Sequence, residues 1–115
     1  MHELGIVFHI IKDVKDVATQ NGCTRIRKVV MDIGEVSTVV PYYLEDCWKW
    51  AVEKDGEMMR GCSLEVNVRK AITRCLDCGK EYPTVEFAKV CPHCRSENTV
   101  LKTGNEVEIK QIEVE

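Results

Sequence analysis

Apolar positions at the start of the chain repeat at helical spacing. Between residues 3 and 20 they recur every three or four positions, at Leu4, Val7, Ile11, Val14 and Ala18. This spacing places the apolar side chains on one face of an α-helix. Asn21-Gly22 ends the pattern, since both residues tolerate a positive φ. The pattern therefore predicts a first helix over residues 3–20 that buries one face.

A second helix is predicted from Pro41 to Asp55. Proline suits the first turn of a helix, where its missing N–H is not needed, and Asp55-Gly56 closes the segment. The apolar face of this helix consists of Leu44, Cys47, Trp48 and Ala51. We therefore expect Trp48 in the core and Trp50 as a surface contact.

Alternation of apolar and polar residues predicts strands. Residues 25–33 alternate until Gly34, with the apolar positions Val29, Met31 and Ile33. The clearest alternation runs over residues 62–69, and its apolar side chains are Cys62, Leu64, Val66 and Val68. The opposite face of that strand is polar, which excludes the fully buried centre of a parallel sheet.

The last strand changes phase. Val107 and Ile109 alternate in one register, and Ile112 and Val114 follow in the other. A change of phase inside one strand indicates a bulge or the end of a ladder.

The middle of the chain interrupts this α/β pattern. From residue 73 to residue 103 apolar positions become sparse and cysteines occur in pairs. The predicted fold class is therefore α/β, with two helices on a sheet of about three strands formed by residues 1–72 and 104–115. Residues 73–103 are predicted to form an inserted four-cysteine module that resembles a zinc ribbon.

Composition and charge argue against a membrane-spanning, a nucleic-acid-binding or a secreted protein. The chain has 115 residues, a net charge of -3 and no apolar run near the roughly 18 residues that would suggest a membrane span. The slightly acidic balance argues against nucleic-acid binding. The N-terminus lacks the basic start and continuous apolar stretch of a signal peptide, so we expect a cytoplasmic protein that does not act at a membrane.

The seven cysteines carry the strongest chemical signal. Cys75-Leu76-Asp77-Cys78 and Cys91-Pro92-His93-Cys94 form two CxxC knuckles separated by twelve residues. Two knuckles offer four thiolates to a tetrahedral ion, and thiolates favour zinc. A redox dithiol is the alternative, but a thioredoxin-like CxxC is single and opens a helix. Four sulfurs close the zinc site, so we expect a structural role; His93 is an exposed turn residue or a substitute ligand.

The N-terminus offers a second set of metal donors. The Met1 amine, the His2 amide and the His2 imidazole can chelate one ion in fused rings, and the carboxylate of Glu3 or the next amide can complete the site. Planar nitrogen sites suit nickel(II) or copper(II). Taken alone, a start of Met-His-Glu is a weak signal, and a solvated terminus that binds nothing is the more common explanation.

The remaining thiols and histidine have plainer interpretations. Cys47 and Cys62 fall on apolar faces and are predicted to be buried reduced thiols, whereas Cys23 lies in a turn. His9 lies two helical turns from His2, about 10 Å along the axis, so it is predicted to be an ordinary residue of the helix surface.

Several of these features together resemble the HypA family of hydrogenase-maturation nickel chaperones. The resemblance extends over the whole chain. It rests on the two CxxC knuckles and their spacing and on three short segments, Met1-His2-Glu3, Val30-Met31-Asp32-Ile33-Gly34-Glu35 and Gly104-Asn105-Glu106.

The resemblance implies a metal assignment and partners. His2 is the primary nickel ligand, with the backbone nitrogens of His2 and Glu3 and, as an optional donor, the Met1 amine. Zinc is implied at the four cysteines Cys75, Cys78, Cys91 and Cys94. Such proteins work with a nickel-handling GTPase and pass nickel to the large subunit of [NiFe]-hydrogenase, and some also serve urease. The oligomeric state stays open, with a homodimer as one option.

Two other classes of function compete with nickel delivery. A zinc-ribbon module for protein interaction, without nickel, would tolerate the loss of His2. An enzyme would need a nucleophile–base pair, a phosphate-binding loop or an open metal site, and the sequence shows none of these. We therefore expect a protein that is not an enzyme.

Overall fold

The computed structural model describes residues 3–115. Its elements are α1 Glu3–Gln20, β1 Ile26–Gly34, α2 Pro41–Asp55, β2 Ser63–Arg69, β3 Ile72–Cys75, β4 Glu81–Pro83, α3 Thr84–Phe87, β5 Thr99–Thr103 and β6 Val107–Val114. None of the described helices is both long enough and apolar enough to span a bilayer.

The first sheet has the strand order β2-β1-β6. β1 pairs parallel with β2 and antiparallel with β6, so β1 is the central strand. This position explains why Val30 and Asp32 are buried, although the sequence pattern predicted burial on one face of β1 only. The predicted bulge in the last strand is confirmed, because the register with β1 shifts by one residue between Gln111 and Ile109.

Two helices pack on this sheet around one apolar core. Trp48 lies in that core and donates from Nε1 to the carbonyl oxygen of Cys62 at 2.9 Å. The predicted burial of Leu4 is wrong: the residue is 40% exposed, whereas Ile10 is buried. At about 100° per residue, Leu4 lies at the border of the apolar stripe of α1, on the side of Phe8.

The strand β2 is less buried than its alternation predicts. Leu64 and Val66 are half-buried, but Val68 is 57% exposed. β2 is an edge strand, so its side chains have a neighbouring strand on one side only. The polar face predicted for β2 agrees with this edge position.

The segment between β2 and β6 forms a second, antiparallel sheet with the strand order β4-β3-β5. Its strands were not visible in the sequence pattern, because each spans only three to five residues. The single helical turn α3 follows β4 directly. Three buried residues of this segment, Cys75, Tyr82 and Cys91, form a small cluster of their own.

The two sheets meet where β1 ends. Gly34 donates its N–H to the carbonyl of Glu106 at 2.7 Å, and Val36 donates to Gly104 at 2.8 Å. A Cβ on Gly34 would collide with the backbone of Gly104 and Asn105, so only glycine fits there. The segments Val30–Glu35 and Gly104–Glu106, which are far apart in sequence, therefore contact each other.

An ion pair between a largely buried aspartate and a half-exposed arginine stabilises the same end of β1. Arg69 donates to the carboxylate of Asp32 at 2.9 Å, and Asn67 lies 3.5 Å from it. The Arg69 hydrogen bond holds the pKa of Asp32 below its usual value. The pair therefore stabilises the fold above the ordinary pKa of an aspartate, and this stabilisation is lost as pH falls through the lowered pKa.

Gly34→Ala should lower the free energy of unfolding by about 3 kcal/mol, because the added methyl group overlaps backbone atoms that cannot move independently. Gly5→Ala is the control: Gly5 lies in α1 with open space around it, so alanine there should stabilise by about 0.5–1 kcal/mol. Urea unfolding of both variants measures the difference. Equal stability of Gly34→Ala and the parent chain would contradict the close approach.

Candidate metal centre

The two knuckles bring four thiol sulfurs together. The Sγ atoms of Cys75, Cys78, Cys91 and Cys94 all lie within 4.8 Å of one another. Cys75 and Cys94 are 3.5 Å apart at sulfur, and Cys78 and Cys91 are 3.6 Å apart. A tetrahedral zinc with bonds of about 2.3 Å needs sulfur–sulfur distances of about 3.8 Å. The four thiols therefore lie close to the arrangement that a tetrahedral zinc ion requires.

The first knuckle is shaped by backbone hydrogen bonds. Cys75 donates its N–H to the carbonyl of Lys80 at 2.9 Å, and Gly79 donates to the carbonyl of Cys75 at 2.9 Å. Gly79 has a φ of 75°, a conformation that glycine adopts without steric cost. This turn directs the N–H groups of Asp77 and Cys78 at the sulfur of Cys75.

The second knuckle repeats the first. Cys91 donates to the carbonyl of Ser96 at 2.9 Å, and Arg95 donates to the carbonyl of Cys91 at 2.8 Å. Arg95 has a φ of 63° at the position that Gly79 occupies in the first knuckle. A positive φ is uncommon for residues other than glycine. Arg95 adopts it because the hydrogen bonds of the second knuckle require the same backbone turn as in the first.

Backbone hydrogen bonds and neighbouring sulfurs give the four thiols different pKa values. The N–H groups of Cys78 and Asp77 lower the pKa of Cys75 to about 7. The N–H of Ser96 acts in the same direction on Cys94, but the neighbouring Cys75 sulfur and desolvation outweigh it and raise the pKa of Cys94 to about 12. Cys75 thus loses its proton readily, and the negative charge of its thiolate opposes deprotonation of the neighbouring cysteines. A bound divalent cation offsets this negative charge, and protons compete with the cation for the sulfurs as pH falls.

Asp77 connects the two knuckles. Its carboxylate accepts a hydrogen bond from the hydroxyl of Ser96 and another from Nδ2 of Asn98 at 3.2 Å. The Ser96 hydroxyl, and then Asn98, hold the pKa of Asp77 below its usual value. Leu76 also donates its N–H to the carbonyl of Asn98 at 2.9 Å. In the sequence, the position of Asp77 inside a knuckle is the only signal for this role.

Asp77→Ala should weaken zinc binding about tenfold, because residues that orient metal ligands contribute roughly 10- to 100-fold to affinity. The matched control is Glu97→Ala, an exposed carboxylate beside the same turn for which the described residues show no hydrogen bond or ion pair. Competition with a chromogenic chelator measures both affinities. Equal zinc retention in the two variants would show that the Asp77 bridge is dispensable.

None of the other candidate residues that the structure describes belongs to the four-cysteine group. Met1 and His2 lie outside the described residues, and Glu3 is the first residue of α1 and half-buried. His93 is exposed and is not part of the four-cysteine group. His9 is 75% exposed at its side chain and lies 3.3 Å from the carboxylate of Asp13, as expected for an ordinary histidine on a helix surface.

The thiols outside the knuckles differ from one another in burial. All seven cysteines are free. Cys62 is buried, as predicted, and burial raises its pKa to about 11. Cys47 is only half-buried, so the prediction of full burial is wrong for this residue; it lies at the border of the α2 face and also lines a surface hollow. Cys23 is half-buried as well.

Comparison with known proteins gives matches over nearly the whole chain. Residues 1–114 match the family model described as "Hydrogenase/urease nickel incorporation, metallochaperone, hypA". The hydrogenase maturation factor HypA of Aquifex aeolicus (strain VF5) is 34% identical over 115 residues, covering 100% of this chain and 98% of that protein. The hydrogenase maturation factor HypA of Rhizobium leguminosarum bv. viciae is 33% identical over 114 residues, covering 99% of each.

Solved structures share the fold. The solution structure of the Ni metallochaperone HypA from Helicobacter pylori superimposes with a TM-score of 0.73 and 26% identity, covering 99% of this chain and 97% of that chain. A second solution structure of a HypA protein gives a TM-score of 0.75 and 25% identity, with coverage of 99% and 96%. The arrangement of two sheets is therefore common to these proteins and this chain.

Proposed function

This chain belongs to the HypA family of nickel metallochaperones for hydrogenase maturation, and we propose that it carries nickel(II) on its N-terminal residues while zinc on four cysteines stabilises the second sheet. The observation that carries the proposal is the family match over residues 1–114, which includes both sets of donors. The four-thiol cluster supports the zinc half independently.

The zinc ligands in this proposal are Cys75, Cys78, Cys91 and Cys94. A zinc ion there supplies folding energy to a segment whose apolar cluster contains only three buried residues. Four thiolates leave no open coordination position for water, so the ion has no hydrolytic chemistry. The proposed division of the chain follows from this: residues 73–103 form the zinc-binding module, and residues 1–72 and 104–115 form the nickel-binding domain.

Nickel is the cargo in this proposal, held by His2 with the backbone nitrogens of His2 and Glu3. The Met1 amine and the Glu3 carboxylate are further donors. Deprotonated amide nitrogen and imidazole together form the planar site that nickel(II) favours.

The partners and place of action are also proposals. The family takes part in hydrogenase maturation. We propose a nickel-handling GTPase and the hydrogenase large subunit as exchange partners, with urease as a further recipient. We place the protein in the cytoplasm, acting without nucleic acid or membrane, and consider a homodimer compatible with this role. A metallochaperone moves an ion and turns over no substrate, so we propose that the chain is not an enzyme.

Metal analysis and nickel titration of the intact, untagged protein test the proposal. We expect zinc in the purified protein and one added nickel per chain at saturation. The rival function is a zinc-ribbon interaction module, which would give zinc with no specific nickel uptake. Hydrolysis of GTP by the purified chain alone would contradict the assignment as a non-enzyme.

A further inference from the structure

The outer edge of β2 is an unpaired strand edge. β2 is the last strand of the first sheet and pairs only with β1 among residues 3–115. Glu35 donates its N–H to the carbonyl of Arg69 at 2.8 Å, so the backbone groups of Arg69 face β1. Because the direction of these groups alternates along a strand, those of Leu64, Val66 and Val68 point outward. The N–H groups and carbonyl oxygens of these three residues therefore line the open edge.

This edge lacks the features that usually protect an edge strand. Proteins block such edges with bulges, prolines or charged side chains. β2 pairs with β1 in unbroken register and contains no proline. Its two charged side chains form ion pairs with β1: Glu65 lies 2.8 Å from Nζ of Lys28, and Arg69 lies 2.9 Å from the carboxylate of Asp32. The outward backbone groups of β2 are therefore accessible to another strand.

The opposite edge of the same sheet is protected. The register between β6 and β1 shifts at two places, and such irregularities bend and twist an edge strand so that a regular strand pairs with it poorly. Antiparallel pairing of two β6 strands about their centre would also place Glu108 of one copy opposite Glu113 of the other. Like charges directly opposite each other destabilise a strand pair. An added strand therefore fits at β2 and not at β6.

The backbone of β2 is complementary to a second copy of itself. Antiparallel pairing of two β2 strands about Val66 places Val66 opposite Val66, and Leu64 opposite Val68. These are the residues whose backbone groups point outward, so the pairing gives about six hydrogen bonds between the copies, two for each of the three residue pairs. Their side chains lie on the side of the sheet that carries the core, where Leu64 and Val66 are already half-buried.

The polar face of β2 is complementary as well. In the same register Ser63 of one copy stands opposite Arg69 of the other, and Glu65 stands opposite Asn67. No two like charges therefore oppose each other directly, in contrast to the pairing of two β6 strands. The sequence of β2 alone thus supplies both partners of every cross-strand pair.

A hollow beside the beginning of β2 fits the exposed side chain near its end. The hollow has a volume of about 450 Å³, and its lining includes Leu64 of β2 with Trp48, Glu45 and Glu53 of α2. Val68 is 57% exposed in the single chain. In the antiparallel register, Val68 of the second copy stands opposite Leu64 and therefore beside this hollow. Two symmetry-related hollows would each bury one Val68 side chain.

We propose that two copies of this chain associate through their β2 edges and form one continuous six-stranded sheet, three strands from each copy. The proposal assigns a surface to the homodimer and depends on neither metal site. The paired strands have seven residues each, so the contact is small among specific interfaces. The dimer should therefore dissociate on dilution.

Sedimentation equilibrium of the intact, untagged chain measures the dimer Kd, under reducing conditions because all seven cysteines are free. Val66→Pro should raise this Kd about tenfold or more: proline removes an N–H that faces the second copy and leaves the hydrogen bonds to β1 intact. Val68→Glu should raise it by a similar factor, because it places a carboxylate beside Glu45 and Glu53 of the other copy. Val68 is exposed, so this variant keeps the test valid if Val66→Pro does not fold.

Amide hydrogen exchange tests the register. In concentrated protein the N–H groups of Leu64, Val66 and Val68 should be protected, and on dilution they should exchange about tenfold faster or more. The N–H groups of Glu65 and Asn67 face β1 and should stay protected at both concentrations. In Val68→Glu only the first set should lose protection, whereas a general loss of structure would expose both sets.

Val114→Glu is the matched control, because it introduces the same charge at an exposed valine on the opposite edge of the sheet. It should change the dimer Kd less than about twofold, and a tenfold rise would place the contact at β6 and overturn the proposal. A parent chain that stays monomeric at about 1 mM would also overturn it. So would a Kd within about twofold of the parent value in Val68→Glu or in folded Val66→Pro. Nickel and zinc binding by these variants should equal that of the parent, so a failure of the metal assignment is seen separately.

Discussion

Replacing His2 by alanine should weaken nickel binding by about a hundredfold or more and leave zinc content and fold unchanged. The imidazole is the strongest side-chain donor among the first three residues, and even residues that only orient a metal ligand contribute 10- to 100-fold to affinity. The first buried residue of α1 is Val7, so the core contains no residue near position 2. Nickel titration monitored by calorimetry measures the loss.

His9→Ala is the control for this variant. His9 is exposed, contacts only Asp13 among the described acidic groups, and should not alter nickel binding. Equal nickel affinity in His2→Ala and the parent chain would refute the N-terminal assignment. A loss of nickel binding in His9→Ala as well would place part of the site on the surface of α1.

A short extension before Met1 separates the two coordination modes. If the Met1 amine is a ligand, one or two added residues turn it into an amide that retains its proton near neutral pH, and nickel binding weakens. If only the His2 and Glu3 amides are used, the extension has little effect. The same extension after Glu115 is the control. Nickel titration of both extended chains at one pH decides whether the amine belongs to the site.

Replacing Cys75 and Cys91 together by serine should remove zinc and unfold the second sheet. These two residues are ligands of the proposed site and also two of the three residues of the buried apolar cluster in that part of the chain. Structural zinc contributes an apparent binding free energy of about 10–16 kcal/mol in small zinc modules, which the remaining packing cannot replace. The first sheet should stay folded, because its helices and strands share a separate core.

Zinc analysis and amide hydrogen exchange measure the two effects. Amides of residues 73–103 should lose protection, while those of β1 and of α1 keep it. Cys23→Ser, which changes a half-buried thiol outside the cluster, should alter neither zinc content nor protection. Full zinc occupancy in the double variant would contradict the assignment of the ligands.

Features that depend on residues close together in sequence were predictable from the sequence alone. Helical spacing predicted α1 and α2 closely, since each helix packs one apolar face on a sheet and that face dominates its pattern. The phase change between Ile109 and Ile112 marked the bulge in β6, because side chains alternate strictly along a strand. The four cysteines were recognisable from spacing, since a CxxC turn creates its own geometry within a few residues.

Contacts between distant parts of the chain were decided only by the tertiary structure. The sequence patterns of Gly34 and Gly104 are those of ordinary strand ends. A Cβ on Gly34 would collide with the backbone of Gly104, and a Cβ on Gly104 would collide with Ala71, so neither position accepts a side chain. Asp77 bridges the two knuckles because the fold brings Ser96 and Asn98 next to its carboxylate. Leu4 had the spacing of a core residue, and packing left it exposed beside Trp50. Periodicity reports which residues share a face of one element, whereas burial depends on what another element places against that face.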